Sequence, residues 1–199
     1  MLSDVLHPGL YRGTMSMAEN YTCLEPAALE TTTEPGRTRM LDEHSVRRRI
    51  LLVEDNPADA HLAEIAFETV GGVLANLDVL VNGEQAIDYL SRHGTYRDVM
   101  LPQLVLLDLN LPRIGGLAVL SRIKSGEATR HIPVVVLTSS EASDDIVRSY
   151  QLGANCYLTK PFGLGPYCEM ARRLSQFWLE LAKLPSDAEE ASTGGAAIQ

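Results

Sequence analysis

Cysteine is scarce in this chain, with three residues, Cys23, Cys156 and Cys168, and no CxxC spacing among them. That pattern argues against a disulfide framework or a zinc site. Cys156 falls in an apolar, strand-like stretch and reads as a buried free thiol. Basic residues are also in the minority, 17 Lys and Arg against 26 Asp and Glu, for a net charge of −9. A nucleic-acid footprint needs clustered Lys and Arg, so no nucleic-acid partner is expected. The one basic cluster, Arg47-Arg48-Arg49, runs straight into an apolar stretch and reads as a solvated strand entrance.

Long hydrophobic runs are missing too. None approaches the roughly 18 apolar residues that span a bilayer, so no membrane association is expected. The first residues, Met1 to Tyr11, lack a basic start followed by an apolar stretch. A secretory signal is therefore not expected, and the cytoplasm is the expected location. His7, His44, His61, His93 and His131 show no metal-ligand spacing.

What is present is an ordinary globular composition, 45% hydrophobic and 22% charged over 199 residues, which fits one domain with tails. Residues 1–45 carry no sustained apolar period, and Thr31 to Gly36 is polar with Pro and Gly as breakers, so this stretch reads as a disordered extension. Met40 offers an alternative starting residue. Residues 46–184 form the expected domain, and residues 185–199 a small, polar, disordered tail.

Inside the domain, Ile50 to Val53, Leu104 to Leu107 and Val134 to Leu137 are unbroken apolar runs, the pattern of strands covered on both faces. Leu77 to Val81 and Asn155 to Leu158 are weaker strand candidates. Helical patterns fill the gaps. Asn56 followed by Pro57 marks an N-cap and first helical position, and Leu62, Ile65 and Ala66 follow at helical spacing. Ala86, Ile87 and Leu90 mark a second helix, and Leu117, Leu120 and Ile123 a third. Ile146, Val147 and Tyr150 mark a fourth, closed by Gly153. A last helix runs from Tyr167 to Leu181, where the adjacent Phe177 and Trp178 must point in different directions. One is expected to cover the core edge while the other either feeds an intermolecular contact, with a homodimer as partner, or packs a loose end on its own domain. Five β-then-α units imply an α/β fold, a doubly wound parallel sheet with right-handed crossovers.

In such sheets ligands bind beyond the carboxyl ends of the strands. There the sequence places Glu54 and Asp55, Asp108, Thr138 with Ser139 and Ser140, and Lys160 with Pro161. With strand order 2-1-3-4-5, the first and third strands are neighbours and three carboxylates converge. Such like charges repel unless a cation sits among them, and oxygen-only ligands suit Mg²⁺. A carboxylate can attack phosphorus, and Mg²⁺ with Lys160 would supply the positive charge that phosphoryl transfer needs. The Thr138 hydroxyl would add a hydrogen bond.

The run Ile50-Leu51-Leu52-Val53-Glu54-Asp55-Asn56, the run Leu107 to Pro112 with Gly115-Gly116, the Thr138-Ser139 pair and the Lys160-Pro161-Phe162 triplet together resemble response-regulator receiver domains, over about Arg49 to Leu184. The resemblance implies the flavodoxin-like receiver fold of order 2-1-3-4-5. It also implies a role for each site residue: Asp108 as phosphoacceptor, Glu54, Asp55, Asp108 and the Asn110 backbone carbonyl as Mg²⁺ ligands, Thr138 as the switching hydroxyl, Lys160 on the phosphoryl oxygens and Tyr157 as the aromatic switch. A cis Lys160-Pro161 bond is expected with it. The long spacer from Tyr96 to Pro102, with Phe177-Trp178-Leu179 and Leu184-Pro185, resembles stand-alone receivers paired with phytochrome-type histidine kinases. A sensor histidine kinase and an unidentified downstream protein are then the implied partners.

Taken singly, each residue has a plainer reading. Asp55 could help Asn56 cap a helix, Asp108 could be a turn residue, Ser140 a helix cap, Lys160 a solvated lysine and Tyr157 core. Two other functions share the same residues. An aspartyl-nucleophile phosphatase of the dehalogenase-like class wants a second acid two residues after its nucleophile, where this chain has Asn110, and places that nucleophile after the first strand. A pseudo-receiver scaffold that signals without phosphorylation usually lacks part of the site, and nothing is missing here. The expectation is a switch and not an enzyme.

Overall fold

The computed structural model describes residues 48–71 and 75–184. The extension at 1–45, the alternative start at Met40 and the tail at 185–199 lie outside the described residues. Five strands form one parallel sheet: β1 (Arg48–Val53), β2 (Ala75–Leu80), β3 (Leu104–Leu107), β4 (Val134–Thr138) and β5 (Cys156–Thr159). Their spatial order is β2-β1-β3-β4-β5, as expected. The helices are α1 (Pro57–Gly71), α2 (Gly83–Leu90), α3 (Gly116–Ser125), α4 (Ser143–Gln151) and α5 (Leu164–Ser175), the last continued by a π-helical turn over Gln176–Leu181.

The alternation of side chains along each strand divides the core in two. Leu51, Val53, Val105, Leu107, Val134 and Val136 face α2 and α3, joining Ala86, Leu90, Val119, Leu120 and Ile123. Ile50, Leu52, Leu104, Leu106, Val135 and Leu137 face α1 and α5, joining Ala66, Phe67, Tyr167, Ala171 and Leu174. Burial of each aliphatic side chain is worth roughly 1.5–3 kcal/mol, which explains the unbroken apolar runs Ile50 to Val53, Leu104 to Leu107 and Val134 to Leu137 in the three central strands. β1 pairs with β3 in register Val53↔Leu107. That register brings the residues that follow these strands, Glu54 and Asp108, to the same rim.

Local signals act as read. The Asn56 side chain accepts from the Ala58 N–H at 2.9 Å and starts α1 at Pro57. Gly153 takes φ 93° after α4, a conformation that favours glycine. Trp178 packs on the α1/α5 core, while Phe177 is 54% exposed and meets it edge-to-face at 5.0 Å.

Three expectations are corrected, and one plainer reading is excluded. β5 is a short edge strand, so Cys156 is half-buried instead of buried. Ser140 does not cap α4: that helix starts at Ser143, and the Ser140 hydroxyl instead accepts from the Ala142 N–H and donates to Asp145 at 2.6 Å, folding the loop. The Lys160-Pro161 bond is trans, like every peptide bond among the described residues; trans is the intrinsically favoured form, and the chain reverses at Gly163, φ 83°, to enter α5. Lys160 is not a solvated lysine, its side chain being 7% exposed. No helix among the described residues is long and apolar enough to cross a membrane.

Candidate phosphoacceptor site

Each site residue is held at the rim by the strand or loop that ends beneath it. The Glu54 N–H donates to the Leu80 carbonyl at 2.9 Å and the Asp108 N–H to the Val53 carbonyl at 3.0 Å, so backbone ladders fix both acids. Lys160 N–H donates to the Thr138 carbonyl at 2.9 Å, extending the β4–β5 ladder to the lysine itself. Glycine at 116 lets α3 approach Asp108: a Cβ there would run into the Asp108 carbonyl oxygen.

Glu54, Asp55 and Asp108 offer carboxylate oxygens that all lie within 4.8 Å of one another. Glu54 and Asp108 are buried and Asp55 is exposed. The Lys160 ammonium reaches Asp108 Oδ2 and Glu54 Oε2 at 2.6 Å each, and Asp59 Oδ2 at 3.0 Å. Burial pushes the Glu54 carboxyl above its ordinary range, a shift only partly offset by the Lys160 hydrogen bond. Burial alone would lower the Lys160 pKa, but hydrogen bonds to Asp108, Glu54 and Asp59 outweigh it and hold the ammonium above its usual value. Lys160 is therefore a fixed positive charge at neutral pH.

The floor of the site is polar as well. The Asn110 N–H donates to Asp108 Oδ1 at 3.0 Å, so the Asp108 carboxylate is held by a backbone amide on one oxygen and by Lys160 on the other. The Asn110 side-chain amide reaches Ser139 Oγ at 3.3 Å and makes a long contact with Thr138 Oγ1 at 3.5 Å. Thr138 is wholly buried and accepts from the Ser140 N–H at 3.3 Å. Tyr157 is half-buried and its hydroxyl donates to the Ser140 carbonyl at 2.9 Å, pinning the loop between β4 and α4 to β5.

All of the sequence-assigned site residues thus meet at one rim: Glu54, Asp55, Asp108, Asn110, Thr138 and Lys160, with Tyr157 one hydrogen bond away through Ser140. Asp59 was not among them. An acid in the first turn of a helix reads as an ordinary partner of the helix dipole, and only the fold turns it toward Lys160. The donor set fits a hard divalent cation, since it consists of carboxylates, two of them buried, with no His or Cys ligand grouped with them among the described residues.

The model of the response regulator receiver domain matches residues 50–172. Response regulator Rcp1 of Synechocystis sp. is 42% identical over 147 residues, which cover 74% of this chain and 99% of that protein. Among solved structures, the phosphorylated cyanobacterial phytochrome response regulator RcpA superposes with a TM-score of 0.67 at 41% identity, covering 70% of this chain and 99% of that one. The Mn²⁺-bound form of response regulator Rcp1 superposes with a TM-score of 0.65 at 42% identity, covering 69% of this chain and 99% of that one. Receivers of this kind partner with histidine kinases, act as switches in two-component signalling and, in solved relatives, hold a divalent metal. Strand order, the acid-and-lysine rim and matches spanning nearly the whole of these relatives converge on one assignment: the chain belongs to the response regulator receiver family.

Proposed function

We propose that this receiver accepts a phosphoryl group from a partner histidine kinase onto Asp108 in a Mg²⁺-dependent reaction, and that the resulting charge switches its surface for a downstream protein. The observation that carries this reading is the Lys160 ammonium at 2.6 Å from both Asp108 and Glu54, beside Asp55.

In the transfer, an Asp108 carboxylate oxygen forms a bond to phosphorus while the phosphorus–nitrogen bond of a phosphohistidine breaks, and the imidazole leaves with a proton. Lys160 supplies one of the cations that stabilise the phosphoryl oxygens. Glu54, Asp55, Asp108 and the Asn110 carbonyl would hold Mg²⁺, which when bound neutralises further charge on those oxygens. The Thr138 hydroxyl, already at the floor of the site, then draws toward the new phosphoryl oxygens and carries the following loop with it. That loop is tied to Tyr157 through the Ser140 carbonyl, so its movement changes the face made by α4, β5 and α5. A full shift from 1:99 to 99:1 between the two forms would need about 5.5 kcal/mol of differential interaction.

Similarity to the phytochrome response regulator RcpA supports a phytochrome-type kinase as the donor. The half-exposed Phe177, which lines an apolar cleft of about 540 Å³ between β5 and α5, and the exposed Leu181 support a homodimer. Asn110, where a dehalogenase-like phosphatase would need an acid, favours an acceptor over a turnover enzyme.

The test is gel mobility on phosphate-affinity gels after treatment with acetyl phosphate and Mg²⁺. The wild-type chain is expected to shift and Asp108→Asn is expected not to. A shift that persists in Asp108→Asn removes the acceptor assignment, and an unmodified wild-type chain that also fails to bind beryllofluoride favours the pseudo-receiver.

A further inference from the structure

Lys160 has three anionic partners, and one of them stands apart. Glu54 and Asp108 belong to the carboxylate cluster suited to a divalent cation, but Asp59 does not. Asp59 lies in the first turn of α1, placed there by the Asn56 cap and the start at Pro57. Its side chain is 28% exposed and turned inward, with Oδ2 at 3.0 Å from the Lys160 ammonium. It also lies near the buried Tyr167 of α5.

An ammonium has three N–H donors, and here all three are engaged, by Asp108, Glu54 and Asp59. Once Glu54, Asp55 and Asp108 turn their oxygens to a doubly charged cation, two of these partners weaken and the ammonium meets a like charge. Asp59 is then the anion still free to hold it. A long lysine side chain without a fixed partner loses its geometry through rotamer entropy, whereas a charge-assisted hydrogen bond restrains it.

We propose that Asp59 is a positioning residue for phosphoryl transfer: it holds the Lys160 ammonium beside Asp108 when the acidic cluster is occupied by a divalent cation, so that Lys160 is in place as charge develops on the phosphoryl oxygens. The proposal rests on the receiver reading above. It differs from a plain helix-dipole role, which would stabilise α1 without affecting Lys160.

The experiment follows acetyl-phosphate labelling over time at saturating Mg²⁺ in wild type, Asp59→Asn and Asp59→Glu, together with Nζ NMR of lysine-labelled protein and thermal unfolding of each. Asp59→Asn is expected to label about tenfold more slowly, equivalent to ~1.4 kcal/mol in the barrier. Its Lys160 Nζ signal in Mg²⁺ is expected to broaden or vanish. Asp59→Glu, which keeps the charge on a longer arm, is expected to recover most of the rate and the signal. Unchanged labelling in Asp59→Asn overturns the proposal, and so does slower labelling with an unchanged Lys160 signal, which would reduce Asp59 to a helix-stabilising residue. A wild-type chain that does not label, while its Lys160 signal still depends on Asp59, is the distinct result that removes the receiver reading itself.

Discussion

Three carboxylates, Glu54, Asp59 and Asp108, hold a single ammonium at the rim of the sheet, with Asp55 beside two of them, and the imbalance makes Lys160 structurally costly to lose. Lys160→Met would leave Glu54 and Asp108 buried without a counterion. A loss of roughly 3–5 kcal/mol is expected in urea unfolding with EDTA present, with part restored by Mg²⁺. A second residue-scale consequence concerns alkaline pH. Burial, reinforced by Asp59, Glu54 and Asp108 and opposed by Lys160, pushes the Tyr167 phenol up from 10.0 to about 12. The unfolded chain releases this proton first, so the stabilising contribution is complete below pH 10 and is lost as pH rises toward 12. Tyr167→Phe is expected to flatten that part of the stability profile, measured as urea midpoints across the alkaline range.

Among the elements, α3 begins on Gly115, which has no side chain to accept from the first-turn amides. Gly115 has φ −65° and ψ 156°, open to any residue, and a Cβ there would meet only the Leu109 carbonyl oxygen at 3.9 Å. Gly115→Asn is therefore expected to raise stability by about 0.5–1 kcal/mol in denaturant unfolding, through a cap and a less flexible unfolded chain. The neighbouring Gly116 permits no such change, because a Cβ would run into the Asp108 backbone. The same contrast shows what could be read from sequence. β1, β3 and β4 were legible because both faces are buried, leaving runs such as Val134-Val135-Val136-Leu137. The edge strands β2 and β5 were fainter, since exposure admits Asp78 and Thr159, and Val81 falls outside β2. In α4 the apolar pattern was present but marks no core face: Val147 and Tyr150 are about half exposed, while the buried position is Ser149. Site residues at strand ends were visible because topology alone brings them together. Asp59 was not, since its pairing with Lys160 depends on where the first turn of α1 sits relative to the residue after β5, and no local signal encodes that.

For the molecule as a whole, a divalent cation held by Glu54, Asp55 and Asp108 would couple to folding, because the unfolded chain cannot assemble the three. Mg²⁺ at a hundredfold excess over its dissociation constant is expected to stabilise the fold by about 2.7 kcal/mol, read as a rise in Tm, and Asp108→Asn should diminish the rise. Self-association belongs to the same scale. Sedimentation velocity is expected to show a dimer, and Phe177→Ser combined with Leu181→Ser should shift it to monomer with little change in Tm, because both side chains are exposed in the single chain. Finally, β5 is hydrogen-bonded along one side only, to β4, yet the lysine just past its end grips Glu54 at the end of β1, three strands away. The outermost strand is thereby moored to the middle of the sheet by one side chain. Whatever alters charge at that mooring is felt first at the margin, where backbone pairing has the least to offer in its place.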